Sequence, residues 1–561
     1  MRTKILAVVM ISCFAFEASV LCTHVSGQDK PAPPQREVNV EGVKQDSSDE
    51  AQLPKISLPE FDITGHEIVS LGAGTKGLSE DRWTARGTTL ADPGKRESPM
   101  TSLGSTATPQ LQVGAAGFTG RVYGGFGSFR TPSFDMRLGV LLPSTGFLLK
   151  SGYKSSSGHV PFADYREGHV ALTANTRFSI DSRVLREASL SADLGFRGKS
   201  FQFYGSPTPD LQRTLKMVGG SIAISSEAGQ ISYKTGFELR AFNLSDSSRS
   251  EEREASIFFE GERPIDPATI KVSANFWRDS HVSASYGQNP FINTVSVSVL
   301  YPVGDRIQLN GGLALYHMRG SLGSGAVRVL PAAGVSWLAE DWLSLFARFS
   351  PTVQRFTLSA LVERNPYVAA DAFISHPESS TDVTIGASVE PGRNVRGTTT
   401  FKYQQVKNFP LFVESSAGGV WDVEYFGRTR VVEIQGELSV DLTETEQVSL
   451  SALFRNTENS ETNSAVPYTP KAQLSAMYRY LFPIGITLEA RVRVVGSHHT
   501  DLNATNSIPG FVLCDLLAEY GIIPRLTAGC TIENLFNDRQ ERWRGYAGFP
   551  RSGTLFVRYN W

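Results

Sequence analysis

The carboxy-terminal stretch from Glu533 to Trp561 reads ENLFNDRQERWRGYAGFPRSGTLFVRYNW. In its final run, apolar or aromatic side chains occupy every second position, at Leu555, Val557, Tyr559 and Trp561. Successive side chains of a β-strand point to opposite faces, so this pattern predicts a strand with one apolar face. Aromatic residues at the end of such a strand are typical of a transmembrane β-barrel at the membrane interface. The stretch therefore predicts the closing strand of a barrel wall.

The same alternation recurs through the chain from Leu111 to Trp561. Apolar residues alternate with polar or charged residues, and Gly, Pro, Asn, Asp and Ser separate the runs, which is the pattern of half-buried strands. Clear examples occupy residues 231–240, 307–315 and 486–494. The sequence predicts an all-β fold over residues 111–561, a large antiparallel transmembrane β-barrel of about 22 strands.

A soluble β-sandwich also has alternating strands, so the period alone leaves two fold classes open. A sandwich of this length normally divides into several domains. The apolar terminal strand, the secretion signal described below and the recurrence of strands without a helix favour the barrel. After Phe16 the chain has no apolar run of about 18 residues, which argues against a helical membrane span. Residence in a membrane would then require a barrel.

Two segments precede the predicted barrel. Residues 1–27 carry basic residues, an apolar run and small residues before Gln28, which predicts a secretory signal peptide. Residues 28–110 are rich in Pro, Ser and charge, which predicts a mostly disordered periplasmic tail. Within this tail, residues 56–65 alternate and form a short strand-like island.

Several short patterns resemble the TonB-dependent receptor family. The closing hairpin has an Asn-Leu-Phe-Asn-Asp strand end and a Pro-Arg turn, although the glycine that usually follows the proline is absent. A second group of patterns lies in the middle of the predicted barrel. The matching segments are 348–351, 365–367, 376–380, 469–471, 534–538 and 550–553.

This resemblance implies an outer-membrane barrel of a Gram-negative-type bacterium, with membrane lipid and the barrel-assembly machinery as partners. It also implies a plug domain of well over a hundred residues. Only about 45 residues separate Gly65 from Leu111, so the plug is predicted to be absent or reduced to a remnant.

The resemblance further implies a coupling segment that a TonB-type energy-coupling protein grips by strand pairing. The candidate residues are Phe61, Asp62, Ile63, Thr64 and Gly65. A segment of tail that lies on the barrel mouth is an equally good interpretation. The apolar ladder of the last strand, formed by Leu555, Val557, Tyr559 and Trp561, resembles the carboxy-terminal signal that the assembly machinery reads. The last strand is also predicted to pair with the first, near residues 111–124, because closure removes both sheet edges.

Charged residues on the polar faces of the predicted strands are candidates for lining the lumen, where they would form ion pairs or tune the passage of solute. These residues are Glu433, Glu437, Glu489, Arg491, Arg493 and Arg558.

Other kinds of site have little support in the sequence. The net charge of −2 gives no reason to expect a nucleic-acid partner. The chain contains no G-x-S-x-G and no H-E-x-x-H motif. We therefore predict that the protein is not an enzyme, with no catalytic residues, no metal site and no cofactor.

The predicted function is passage or uptake of a solute across the outer membrane. The identity of the solute and the use of an energy source stay open at this point. One alternative is a barrel that transports nothing and serves as a structural or docking partner. A second alternative is a secreted all-β binding module.

Overall fold

The structure is a computed structural model that describes residues 117–561, apart from residues 181, 183, 184, 186, 227–230, 320–324, 393 and 417. The predicted signal peptide, the tail and the candidate coupling segment Phe61 to Gly65 lie outside the described residues. The residues proposed for the start of the first strand, 111–116, lie outside them as well.

Twenty-two long strands close into one antiparallel barrel, as predicted. In chain order β1 to β22 are Gly117–Gly127, Thr131–Leu141, Thr145–Ser156, Tyr165–Phe178, Ala188–Gln202, Gln212–Ser226, Ser232–Ser245, Arg249–Ile265, Ala268–Val282, Phe291–Val303, Ile307–Arg319, Gly325–Glu340, Leu343–Phe349, Glu378–Gly392, Val395–Lys407, Thr429–Thr443, Glu446–Asn459, Ala472–Leu481, Ile486–Val495, Phe511–Ile523, Leu526–Glu533 and Ser552–Asn560.

The barrel closes where β22 pairs with β1, in register from Arg121 opposite Asn560 to Gly127 opposite Thr554. The predicted pairing of the last strand with the first is therefore confirmed. Because every strand then has two neighbours, the backbone polar groups of the wall are satisfied within the sheet, as a lipid environment requires.

The connections differ strongly between the two ends of the barrel. At one end most are tight turns, such as residues 266–267, 341–342 and 524–525. At the other end they include the long segments 350–377, 408–428, 460–471, 496–510 and 534–551. We call these the short-turn end and the long-loop end. Barrels of the outer membrane place their short turns in the periplasm and their long loops outside the cell.

Small elements decorate the long-loop end. Two short strands, Gly287–Gln288 and Thr352–Val353, pair with β9 and β14 respectively, and three loops form small hairpins of their own. One α-helix, α1, spans Leu358–Arg364. The expectation that strands recur without any helix is therefore wrong at α1. Among the described residues, no helix has the length and hydropathy needed to cross a bilayer.

The two faces of the wall are chemically distinct. On β11 and β22, Leu313, Leu315, Leu555 and Val557 leave large parts of their side chains exposed. The intervening positions carry small, polar or inward-packed side chains, such as Phe556, which is buried. The exposed apolar positions form the outer face, since they alternate strictly with positions that pack against the interior.

Adjacent residues on β16 offer a direct measurement of this orientation. Glu437 bonds to Gln435 on the polar face, whereas the Leu438 side chain is exposed on the apolar face. In a background in which Cys514 and Cys530 are replaced by serine, Glu437→Cys should react faster with a membrane-impermeant maleimide than Leu438→Cys, because water reaches only the inner face. The rates are compared in outer-membrane fragments. Faster labelling at Leu438→Cys would reverse the assignment of the faces.

Candidate functional site: a capped mouth and a charged lumen

A hydrophobic cluster fills the long-loop end of the barrel, and we call it the cap. Its members are buried side chains of the long loops together with strand residues that face inward beneath them. They are Phe201, Phe203, Phe242, Leu244, Phe356, Leu358, Leu361, Val362, Tyr367, Val368, Ala370, Ala372, Ile374, Phe412, Trp421, Tyr468, Ile508, Trp543 and Tyr546.

The cap reaches from one side of the ring to the other. Phe242 lies on β7, whereas Tyr468 lies in the loop between β17 and β18, about half of the ring away. Between them, the Tyr367 and Tyr546 rings stack with centroids 3.5 Å apart, and the Trp421 ring lies 5.8 Å from that of Tyr546. Aromatic pairs of this kind contribute about 0.5–1.5 kcal/mol each beyond their burial. The described loops therefore span the mouth as one packed layer.

Two loops of the cap come into close contact at Gly205 and Gly545. A Cβ atom added to Gly205 would lie 2.7 Å from the backbone oxygen of Gly545, which is closer than side chains tolerate. Gly545 itself has a φ of 83°, a conformation that glycine adopts without steric cost. Nearby, the Tyr204 hydroxyl donates to the Ala547 carbonyl at 2.8 Å. The loops after β5 and β21 are thus joined by backbone contact.

Helix α1 forms inside the cap because of its local sequence. The Thr357 hydroxyl accepts a hydrogen bond from the Ala360 amide at 3.2 Å and caps the amino-terminal end of the helix. Leu358, Leu361 and Val362 follow the three-to-four residue spacing of one helix face, and all are buried. The helix stops at Asn365 because the proline that follows disfavours helical backbone there.

The barrel wall anchors the helix through Glu252 of β8. Its carboxylate accepts hydrogen bonds from the Leu358 amide at 2.5 Å and from the Ser359 amide at 3.0 Å. These amides belong to the first turn of α1, where no intrahelical acceptor is available and where the helix dipole favours negative charge. Glu252 is buried, so this contact links the helix directly to the wall.

Arg213 of β6 provides a second anchor. Its Nε donates to Oδ2 of Asp246 at 2.9 Å, and its Nη1 donates to the carbonyls of Pro366 at 2.8 Å and Val368 at 2.6 Å. The two charged side chains are almost fully buried, at 1% and 4% exposed. The guanidinium stacks on the Phe203 ring, with its carbon 4.6 Å from the ring centroid. One ion pair therefore holds the loop segment that follows α1.

The rest of segment 350–377 is held from both sides of the mouth. The Ser250 hydroxyl of β8 donates to the Ala370 carbonyl at 2.6 Å. On the other side, the Ala369 amide donates to the Trp421 carbonyl at 2.7 Å, and the Ser375 amide donates to the Tyr425 hydroxyl at 3.0 Å. The segment thus bridges the wall and the hairpin between β15 and β16.

His376 lies near the end of segment 350–377, and its side chain is neutral. Burial lowers the pKa of its imidazole to about 4. Nδ1 accepts a hydrogen bond from the Phe356 amide at 3.2 Å, which requires that nitrogen to be unprotonated. The ring also lies 5.4 Å from that of Trp277 on β9. At neutral pH the lower part of the cap is therefore uncharged at this position.

Below the cap, the predicted lumen residues form ion pairs and hydrogen bonds with neighbouring strands. Glu433 accepts from Arg455 at 2.7 Å, and Glu437 accepts from Gln435 at 2.9 Å. Arg493 donates to Asp515 at 2.8 Å.

Glu489 and Arg491, two of the six predicted residues, form an ion pair with each other at 3.4 Å. Glu489 also binds Arg479 at 3.2 Å, and Arg558 binds Glu519 through both nitrogens at 3.1 and 2.9 Å. The six side chains therefore belong to several separate clusters on the wall. Their role toward a solute stays a prediction.

The predicted assembly ladder runs along β22 and ends at the short-turn end. Leu555, Val557 and Tyr559 are exposed on the outer face, and the Tyr559 and Trp561 rings stack 5.7 Å apart. Trp561 exchanges two backbone hydrogen bonds of 3.0 Å with Gly120. A Cβ atom at Gly120 would overlap the Trp561 indole, so a side chain larger than glycine would displace the ring. The role of the ladder in assembly stays a prediction.

The residues that anchor the cap were not found from the sequence. Arg213 and Glu252 stand in strands that carry other charged residues as well, and nothing local distinguishes them. A signal for α1 was present, since Thr357 precedes apolar residues spaced at three and four positions. Among the described residues, no group of three or more His, Cys, Asp or Glu side chains is arranged to hold a metal ion.

The geometry of the barrel agrees with that of solved structures. The FrpB iron transporter from Neisseria meningitidis (F5-1 variant) matches with a TM-score of 0.65 at 11% identity, over 80% of this chain and 83% of that chain. BauA, the ferric preacinetobactin receptor from Acinetobacter baumannii, matches with a TM-score of 0.63 at 12% identity, over 80% of each chain.

The ferric-catecholate import receptor Fiu from K12 E. coli matches with a TM-score of 0.60 at 12% identity, over 80% of this chain and 82% of that chain. At these identities the likeness establishes the fold alone. No curated protein sequence matches this chain.

The model of one protein family matches residues 99–535, described as "TonB dependent receptor-like, beta-barrel". This match covers most of the chain, including every barrel strand except β22, and it confirms the resemblance to the family. The proteins of this family are receptors and transporters rather than enzymes. The chain therefore belongs to the TonB-dependent receptor-like β-barrel family.

Proposed function

We propose that this protein carries a solute across the bacterial outer membrane through its barrel, and that the cap moves to let the solute pass. The observation that carries this proposal is the cap itself. It spans the long-loop mouth, and a few buried polar side chains on the wall, Arg213, Glu252 and Ser250, hold its central segment. The cap is built largely from loops rather than from wall strands, and loops that gate a site come from the less stable parts of a fold.

The names of the structural neighbours support a role in transport. They include an iron transporter, a ferric-catecholate import receptor and a copper transporter. We carry over only the coarse activity, passage of a solute, because the identities are too low to transfer a particular substrate.

The proposal includes the parts of the chain that precede the barrel. Residues 1–27 act as a signal peptide, and residues 28–110 form a periplasmic tail with at most a remnant of a plug. Phe61 to Gly65 pair with a TonB-type protein, which supplies the energy to open the cap. The strand-like alternation of residues 56–65 and the family membership support this assignment.

A barrel that only docks a partner is the second candidate. The continuous aromatic packing of the cap favours the docking function, because such packing stabilises a mouth that stays closed. In that case the lumen charges serve as structural ion pairs, and the exposed loops contact the partner.

A reversible cross-link distinguishes these functions. The Ser285 hydroxyl, in the loop after β9, donates to the Asp371 carboxylate at 2.8 Å, and Asp371 lies in segment 350–377. In a background in which Cys514 and Cys530 are replaced by serine, a disulfide in the double variant Ser285→Cys/Asp371→Cys ties the central segment to the loop after β9, and non-reducing electrophoresis after limited proteolysis measures how much of it forms. We expect oxidation to suppress channel openings in planar bilayers, and dithiothreitol to restore them.

The two single cysteine variants are the controls, since neither can form the cross-link. Equal opening in the oxidised and reduced double variant would show that this segment does not move. Absence of conductance in the wild-type protein and in a variant with a weakened cap would support the docking alternative.

A further inference from the structure

A row of polar and charged side chains crosses five neighbouring strands on the inner face, just below the cap. In register from β13 to β17, Arg348 stands opposite Thr384, Thr384 opposite Lys402, Lys402 opposite Glu433, and Glu433 opposite Arg455. Side chains at such positions lie on the same face and contact their cross-strand neighbours. We call these five residues the basic row.

The local charge of this region is positive. The Lys402 ammonium interacts electrostatically with Arg348 and Arg455 and with the carboxylates of Glu433 and Asp382. Asp382 lies on β14 two residues before Thr384, nearer the long-loop end. Three cationic side chains therefore share the region with two carboxylates.

Helix α1 adds a fourth cation from above. Arg364 is the last residue of the helix, and its guanidinium lies over the Phe356 ring, 4.7 Å from the centroid. Burial, with a smaller contribution from the nearby Arg455, lowers the pKa of Arg364 to about 10. The group still carries its charge at neutral pH, close to a second cation.

The hydrogen-bonding capacity of the Arg364 guanidinium is not satisfied by the described residues. Its guanidinium has five N–H donors, and among the described residues none of them has an oxygen acceptor within hydrogen-bond distance. Charges removed from bulk water are normally paired, because desolvation without a partner costs several kcal/mol. The side chain also keeps partial contact with solvent, so a small ligand can reach it.

We infer that Arg364 and the basic row form a binding site for an oxyanion, a carboxylate or phosphate group carried by the transported solute. A planar guanidinium binds such groups through two parallel hydrogen bonds. An anion placed between Arg364 and Arg455 also removes the repulsion between these two cations. This inference rests on the proposed function, and it adds the chemical class of the solute.

The site also links binding to the cap. Glu252 holds the first turn of α1 on the β8 wall, whereas Arg364 ends the helix within electrostatic range of Arg455 on β17. An anion that binds to both Arg364 and the row therefore contacts the wall and the segment that has to move. Occupancy of the site stabilises the position of the helix in which these contacts are made.

The test uses the purified full-length protein in detergent and two oxyanion probes, sodium citrate and sodium pyrophosphate. Binding is measured by isothermal titration calorimetry, in the wild type and in Arg364→Gln. We expect the wild type to bind at least one probe. We expect Arg364→Gln to weaken binding about tenfold or more, since a charged hydrogen-bonded contact is worth about 1.5–3 kcal/mol.

Two further variants separate a specific site from general attraction. Arg364→Lys keeps the charge but lacks the planar fork, so it should bind with intermediate affinity. Arg249→Gln removes the same charge from an exposed rim position, where the side chain is 73% exposed, and it should bind like the wild type. Heat-modifiable gel mobility of each variant reports whether the barrel is folded.

The outcomes for the site and for transport are distinct. The oxyanion site would be overturned by any of three results: no binding by the wild type, unchanged binding by folded Arg364→Gln, or an equal loss in Arg249→Gln. In each case, channel openings in the cross-linking experiment would leave the transport function intact. Oxyanion binding that requires Arg364, in a protein that never opens, would keep the site and remove the transport function.

Discussion

Replacing Arg213 by methionine is expected to open the capped mouth and to raise the ion conductance of the barrel. The substitution removes the donors to Pro366 and Val368 and leaves the buried Asp246 carboxylate without its partner. Breaking a buried ion pair on one side costs about 3–5 kcal/mol. When the loops separate, water solvates the Asp246 carboxylate again. The cost therefore raises the free energy of the closed state relative to that of the open state.

The expected size of the effect follows from that cost. Since about 1.4 kcal/mol changes an equilibrium tenfold, the ratio of open to closed states should rise by about two to three and a half orders of magnitude. Single-channel recording in planar bilayers measures the open fraction directly. Entry of a large antibiotic into cells that produce the variant gives an independent measurement.

Two control variants identify the cause. Arg213→Met/Asp246→Leu removes the uncompensated charge, so most of the closed population should return. Arg249→Met removes an exposed arginine from the same end of the barrel, and its surface ion pair with Glu251 is worth at most about 1 kcal/mol. Conductance that is equal in Arg213→Met and in Arg249→Met would show that Arg213 does not hold the cap closed.

The double substitution Tyr559→Asp/Trp561→Asp is expected to reduce the inserted protein to a small fraction of its normal amount. Both positions lie at the short-turn end of β22, close to the membrane interface. A charged residue on the lipid face near an interface costs about 0–1 kcal/mol. A closed barrel of this size tolerates such a cost, so a severe loss points to failed recognition by the assembly machinery.

A matched pair of positions separates recognition from simple destabilisation. Tyr301 and Val303 lie at the short-turn end of β10, two residues apart on the same outer face, and are 45% and 43% exposed. Tyr301→Asp/Val303→Asp therefore introduces the same charges in an equivalent environment, and it should insert nearly normally. Immunoblots of outer-membrane fractions, with heat-modifiable mobility as the criterion of folding, measure both variants. Similar amounts of folded protein from the two double variants would remove the special role assigned to the last strand.

The wall of the barrel was predictable because its signal is local. Whether Leu438 points outward and Glu437 inward follows from a period of two residues, and each strand repeats that pattern independently of the others. The described part of the first strand begins at Gly117, and residues 111–116, which the sequence also assigns to it, lie outside the described residues. The short pattern of α1 was missed, since seven residues of helix inside a loop look like an irregular connection.

The sequence by itself determined the fold class, the approximate strand number, the closing strand and the identity of the outer face, because alternation and turn residues act within a few positions of the chain. Only the tertiary structure decided that the long-loop mouth is capped and which side chains hold the cap. Glu252 and Leu358 are 106 positions apart, Arg213 and Pro366 are 153 apart, and Tyr204 and Ala547 are 343 apart. The physical reason is that closure of the ring brings these groups together, and no local pattern carries information about partners so distant in the chain.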